Sequence, residues 1–422
     1  MLINQCFPRY TEYDPLVPVW CVTPGEGGGL HRFFDTSPVS PSGRYLAVLR
    51  MPDRDRVNEP GETAEVVLVD LHTAEEQVVA LTRGWEYQLG ANINWGTDDH
   101  ALYFNDVDTE SWTPFVVCLD PLTGATRRME GSIYRISPDG KQIISANTIT
   151  MRRTQNGYGV VVPDQLVPRN FGFPSDDGLF LIDTATGVRK LLVSLRDLFE
   201  NAEPRIDTTL YEGGECYGFH SKFNPQGTRL IFTVRWFHSK EQQPWNQIKK
   251  DLDFWVFTMK PDGTDIHVAV GPHQWKKGGH HINWYPDGEY LSMNLALAGD
   301  GRMKLVRVRY DGTDLRTITD AMPGSGHPTV HPDGHHILTD TYAWESTSFG
   351  DGTVPLRWID LRTNTEKTLV RLNVAHPAAG KNSSLRVDPH PAWAPDNRHI
   401  AFNGYVNGAR RVFLADVSNM LQ

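Results

Sequence analysis

Apolar residues in this chain come in short runs interrupted by Pro, Asp and Gly, a pattern of strands joined by tight turns rather than of long helices. One unit recurs: a short strand, a Pro-Asp-Gly-like turn and a second strand. It spans Ser37 to Leu49 around Ser40-Pro41-Ser42-Gly43, Asn92 to Phe104 around Trp95-Gly96-Thr97-Asp98-Asp99, and Ile133 to Ser145 around Ser137-Pro138-Asp139-Gly140. Further turns at Asn224-Pro225-Gln226-Gly227, Pro286-Asp287-Gly288, Pro332-Asp333-Gly334 and Pro395-Asp396-Asn397 bring the number to seven. Each unit is followed by a second hairpin marked by an Asp, after an apolar pair at Asp70, Asp120, Asp183, Asp360 and Asp416 and in the turns Lys260-Pro261-Asp262-Gly263 and Tyr310-Asp311-Gly312-Thr313. Two hairpins per repeat predict a four-stranded antiparallel sheet, with Pro presetting the turn and Gly or Asn accepting the left-handed conformation. One such sheet cannot bury both faces, whereas seven packed radially can. The expected fold is therefore all-β, a seven-bladed β-propeller occupying residues 1–422 as one domain.

The ends of the chain predict how the ring closes. The last repeat supplies three strands, and the apolar stretch Val17 to Val22, ahead of the first repeat, is suited to be its fourth. Pairing first with last leaves no open edge. The longest interval between turns, Gly140 to Gly227, holds two insertions, about 150–176 and 200–214, which read as functional loops or surface excursions.

Composition sharpens this picture. At roughly 150 residues per domain a chain of 422 would hold two or three units, but seven repeats of about 60 residues consume it. With 39% hydrophobic and 22% charged residues, 37 Gly and 28 Pro, the chain is neither disordered nor collagen-like. Its formal net charge of −10 argues against nucleic acid or an anionic membrane as partner, so an anionic ligand needs a local basic site. No run approaches the ~20 apolar residues of a membrane span, and Met1 to Arg9 lacks the regions of a signal peptide, so the expected location is cytoplasmic. Cys6, Cys21, Cys118 and Cys216 show no paired spacing and read as buried thiols.

The repeats also align chemistry. Seven residues before Gly43, Asp99, Gly140, Gly227, Gly288, Gly334 and Asn397 stand Thr36, Asn92, Ile133, His220, His281, His327 and His390. With 16 His in the chain, seven positions would hold roughly 0.3 by chance, yet four consecutive blades carry one. The innermost strand of each blade lines the central channel, so these imidazoles converge, either on internal hydrogen bonds or on a divalent metal. Asp388 and His390, two apart on a strand, share a face. Asp388, His390 and His281 lead the candidate ligands, with His327 as a third imidazole, and the pattern does not separate manganese, zinc and calcium. His220 has other company. Arg235 returns across its hairpin to about the same level, which makes His220 a candidate general base kept neutral by a cation that is itself placed to bind a carboxylate.

At these residues the sequence resembles the seven-bladed propeller polysaccharide lyases of the oligogalacturonate lyase type, with the ulvan lyases as relatives. The resemblance runs from Leu30-His31-Arg32 through Gly218-Phe219-His220 and His281-Ile282-Asn283-Trp284 to Asp388-Pro389-His390-Pro391 and the closing Val412 to Val417. It implies β-elimination from a 4-linked uronate in a short oligosaccharide, with His220 removing the C5 proton and His281 and His390 holding a metal. Asp388 falls where the family has another His, Leu385 where it has a Gln, and the family's Arg ahead of the base is replaced near Gly178. Arg235 then takes over charge neutralisation, as in the ulvan-type relatives. His31, Arg32, Asn92, Tyr134 and Tyr158 are the candidates for substrate contact, with Tyr158 or His31 closest to the leaving group.

Three other readings use the same repeats. A non-catalytic propeller of the TolB type explains the turns but not the His register. A propeller serving a serine peptidase lacks both a G-x-S-x-G elbow and the length for a hydrolase domain. A metal-dependent isomerase or lactonase would not need Arg235.

Overall fold

The computed structural model describes residues 1–52, 55–238, 252–381 and 383–421. Its repeated turns share one geometry. Gly43, Gly140, Gly227, Gly288 and Gly334 hold φ between 69° and 77°, and Asn397 holds 53°. Each donates its N–H to the carbonyl three residues earlier at 2.8–3.0 Å. The second repeat shares the wider bond of these turns, Gly96 donating to the Ala101 carbonyl at 2.7 Å as Ser40 does to Tyr45 at 2.8 Å. The Asp of every second hairpin accepts the N–H two residues on at 2.8–3.1 Å, a side-chain turn that fixes the outer hairpin.

These turns organise the described strands into seven antiparallel sheets, the blades of a propeller. Blade 4 is representative: Gly214–Phe223 lies innermost, followed outward by Leu230–His238, Asp253–Met259 and His267–Val270. Closure follows the sequence expectation. Val19–Cys21 pairs with Ala409–Asp416 in the register Val19↔Ala415, Trp20↔Leu414 and Cys21↔Phe413, completing blade 7. The core lies between blades as well as within them; Val48, Val67 and Val69 of blade 1 pack in one cluster with Val412 and Leu414 of blade 7. Such contacts between neighbouring faces supply the burial a single blade lacks.

Blade 1 differs from its six neighbours in having three strands. Its inner strand is reduced to isolated bridges, Leu30↔Leu49 and Val39↔Leu46, because the segment between them leaves the sheet. That segment carries Phe33 and Phe34, each 1% exposed, into the middle of the ring. Residues 150–176 form an irregular loop with short helical turns at Met151–Arg153 and Asp164–Leu166, while the stretch leading to residue 214 contains the helix Leu195–Asn201 and the turn Thr208–Tyr211. All four cysteines are free thiols, but only Cys216 is buried; Cys21 and Cys118 are half-buried and Cys6 is exposed, which corrects the expectation of four buried thiols.

Candidate functional site

The register positions do converge, but regular strand geometry is not what aims them. Phe219 and His220 occupy a bulge between Gly218 and Ser221, and His281 lies in another between His280 and Asn283. Asn92, His281 and His390 adopt left-handed φ of 53°, 59° and 48°. Bulges and left-handed residues re-aim side chains at some conformational cost, and here they turn them toward the axis. Phe33 marks that axis. Its ring lies 5.3 Å from His220, 6.3 Å from His281, 5.6 Å from His327 and 4.7 Å from His390, centroid to centroid.

A second aligned position holds this hub together. Six residues after the turn residue stand Asn105, Asn294, Asp340 and Asn403 in four blades. Asn105 accepts from the Ile133 N–H at 2.7 Å and donates to its carbonyl at 3.0 Å. Asn403 does the same for His31, at 3.0 and 3.1 Å. Asn294 donates to the Gly326 carbonyl at 2.8 Å. Asp340 accepts from the backbone N–H of His327 at 2.7 Å and of His390 at 3.1 Å. The sequence reading missed these residues, although the same counting from the turn finds them.

His327, Asp388 and His390 form a group whose ligand atoms lie within 4.8 Å of one another. All three are nearly inaccessible, at 1%, 5% and 1% exposure. Asp340 accepts from His327 Nδ1 at 2.8 Å, which leaves the lone pair on Nε2. That Nε2 and both ring nitrogens of His390 are buried with no hydrogen-bond partner among the described residues. Orphaned buried nitrogens are costly, and a bound cation supplies the missing partner, so the donor set fits a divalent metal. Burial, then the neighbouring His327 and His31, depress the His390 pKa far below the usual imidazole value, keeping it in the neutral, ligating form. Asp388 also accepts from Arg386 Nε at 2.9 Å. His281 lies outside the group. It stacks on His327 at 3.8 Å, and its Nδ1 lies 2.6 Å from the Gly326 carbonyl and its Nε2 3.2 Å from the Tyr342 hydroxyl.

His220 is the other pole of the site. Burial first, then the charges of Lys222 and Arg235, push its pKa well below the ordinary value. Its Nδ1 is hydrogen-bonded to the Tyr134 hydroxyl. Arg235 pairs with Tyr217 rather than standing level with His220 as expected: the hairpin register, Ser221↔Phe232, already carries it past His220, and the bulge moves it one residue further. Its guanidinium lies 3.4 Å from the centre of the Phe219 ring and donates to Thr154 Oγ1 at 3.2 Å and Gln155 Oε1 at 2.8 Å. Burial pushes its pKa down to about 9, still cationic at neutral pH, and no ion pair to it occurs among the described residues.

Tyr158 joins the two poles. It is 3% exposed, lies 5.9 Å from the His220 ring and accepts from Arg386 Nη2 at 3.4 Å. The insertion thus delivers Thr154, Gln155 and Tyr158 to the channel mouth. The remaining sequence candidates lie beneath. His31 is 1% exposed, with Nε2 2.7 Å from the His390 carbonyl. Arg32 donates to Asn92 Oδ1 at 2.9 Å and its guanidinium lies 4.5 Å from the centre of the Tyr134 ring. At the turn-side mouth a cavity of about 440 Å³ contacts Arg135 and Lys222 but none of the register histidines.

No protein-family model matches the sequence, and no curated protein matches it. Among solved structures, the chain is similar to an oligogalacturonate lyase in complex with manganese, at TM-score 0.63 and 16% identity over 99% of this chain and 98% of that one. It is similar to oligogalacturonate lyase from Vibrio parahaemolyticus at TM-score 0.65 and 14% identity, over 100% and 99% of the two chains. A putative TolB from Agrobacterium tumefaciens matches at TM-score 0.41 and 16% identity, over 81% of this chain and 94% of that one. The whole chain therefore has the fold of the oligogalacturonate lyases.

Proposed function

We propose that the protein is a metal-assisted lyase that cleaves a 4-linked uronate in an oligosaccharide by β-elimination. The observation that carries this reading is one channel mouth holding a neutral buried imidazole, an unpaired guanidinium and a separate His327–Asp388–His390 group with orphaned nitrogens. β-Elimination needs that division of labour. The C6 carboxylate must be neutralised so that C5 becomes acidic, a base must take the C5 proton, and the C4–O bond then breaks as the C4=C5 double bond forms.

In this scheme His220 is the base. Donation from Nδ1–H to the Tyr134 oxygen leaves the Nε2 lone pair free to accept the proton. Arg235 binds the carboxylate, held ready by Thr154 and Gln155 rather than by a competing acid. Tyr158, between His220 and Arg386, is the candidate to protonate the departing oxygen. His327, Asp388 and His390 would hold the metal, which when bound supplies further charge neutralisation for the carboxylate. Two imidazoles and one carboxylate suit manganese or zinc better than calcium. The ligands proposed here differ from the sequence expectation in dropping His281, whose ring nitrogens lie against the Gly326 carbonyl and the Tyr342 hydroxyl, and in taking His327 as the second imidazole. His31, Arg32 and Asn92, being buried, support the site from below. With a net charge of −10 the chain attracts no long polyanion, so a short fragment captured locally is the fitting substrate.

The test is a panel of uronate oligosaccharides followed at the absorbance band of unsaturated uronates, with and without chelator. Product formation that His220→Ala abolishes is the expected result; no new absorbance on any uronate would sink the lyase reading. The TolB-type reading predicts no turnover and leaves the orphaned nitrogens without a purpose.

A further inference from the structure

Beside Asp388 the top loops of blades 6 and 7 enclose a cleft of about 290 Å³, lined by Tyr342, Trp344, His376, Lys381, Arg386 and Asp388. Trp344 is a large apolar side chain left 40% exposed. Its ring stacks on Tyr342 at 4.6 Å and 11° between planes. Tyr342 is braced in turn by His281 Nε2 at 3.2 Å, so the aromatic pair is tied to the inner ring of the propeller rather than floating on a loop. Lys381 Nζ stands 5.6 Å from the Trp344 ring centroid, has no ion pair among the described residues and is exposed. Arg386, by contrast, is committed to Asp388 at 2.9 Å and forms a wall of the cleft continuous with the metal group.

An exposed, pre-positioned indole with a cation beside it is an amphipathic recognition surface. A pyranose offers C–H groups on its face to such an indole, and a uronate adds a carboxylate for the ammonium. We propose that this cleft is a second sugar subsite, which takes the uronate residue next to the one at His220, with Trp344 stacking on its ring and Lys381 holding its carboxylate. The proposal rests on the lyase reading for the placement of the first sugar. It also gives His281 a role apart from metal binding: Nδ1–H donates to the Gly326 carbonyl, and Nε2 accepts from Tyr342 and steadies the platform.

The test separates the subsite from the chemistry. Binding of trigalacturonate and of neutral maltotriose to the full-length His220→Ala protein is measured by calorimetry, with Trp344→Ala, Lys381→Ala and the conservative Trp344→Phe and Lys381→Arg added in turn. We expect trigalacturonate to bind, maltotriose not to, each Ala change to weaken binding about tenfold, and the conservative changes to restore most of it. Both side chains are exposed, so folding is preserved, which an unchanged melting temperature verifies. No binding of trigalacturonate, equal binding of maltotriose, or Ala variants within twofold of the parent would each overturn the subsite. Binding that depends on Trp344 and Lys381 in a wild-type protein that forms no unsaturated product would uphold the subsite and discard the lyase step.

Discussion

The imidazole of His220 carries the most consequential shift in the molecule. Its folded pKa lies well below the free value, chiefly through burial, so it is neutral and able to accept a proton at neutral pH. A base titrates away as pH falls through its own pKa, so kcat/KM should hold its plateau below the usual imidazole midpoint of about 6.5 and fall only at lower pH. An acid limb at or above 6.5 in the pH profile would contradict this. Tyr134 orients the ring through Nδ1, so Tyr134→Phe should lower kcat about 10- to 100-fold with little change in KM, by releasing the tautomer that exposes Nε2. His31 supplies a stability counterpart. Burial takes its pKa down to about 4 in the folded state, below the unfolded value, so the folded form loses stability as pH drops from about 6.5 toward 4. The loss attributable to this one group is about 3 kcal/mol, and denaturant melts of the wild type and His31→Asn across that range measure it.

At the scale of elements, the insertion of residues 150–176 and the closing strand serve different ends. The insertion brings Thr154 and Gln155 to Arg235, and no other hydrogen bonds position that guanidinium among the described residues. Replacing the pair by Val and Leu should cost about 10- to 100-fold in kcat/KM while leaving the melting temperature within a few degrees, since a carboxylate clamp works by placement. The closing strand is a matter of stability. Trp20 is 7% exposed, sits opposite Leu414 and stacks under Arg9, whose guanidinium lies 4.3 Å from its ring. Trp20→Ala should cost about 3–5 kcal/mol of unfolding free energy, read from chemical denaturation, because the lost burial lies on the seam that fastens the ring. The inner segment of blade 1 gives up strand pairing to place Phe33 and Phe34 in the channel. Burying two aromatic rings outweighs a short stretch of ladder whose polar groups find other partners, among them Asn403 for His31.

For the molecule as a whole, a bound metal should act as a pin through blades 6 and 7, which contribute His327 and the Asp388–His390 pair. Titrating manganese or zinc into metal-free protein should raise the melting temperature in a concentration-dependent way, with about 2.7 kcal/mol of added unfolding free energy at a hundredfold excess over Kd, and His327→Gln with His390→Asn should abolish the shift. Much of the architecture was legible in the chain because each repeat writes its turns locally: Pro, Asp, Gly and Asn at set positions determine hairpins whatever surrounds them, and seven hairpin pairs have one way to bury their faces. The same counting put His220, His281, His327 and His390 on one ring, and would have put Asn105, Asn294, Asp340 and Asn403 on another. What lay beyond it was any contact between residues at different registers. Arg386 on Tyr158, Tyr158 against His220, Tyr342 against His281 and Phe33 at the hub join segments from separate blades and from the insertion. Even the directions of His220, His281 and His390 depend on bulges or left-handed backbone that neighbouring blades hold in place. The sequence by itself therefore determined the repeat, the ring and the residues that face its axis, because those follow from short-range turn chemistry and periodic burial. The closed tertiary structure alone decided which of them touch, since bulges, tautomers and orphaned nitrogens arise only where blades meet.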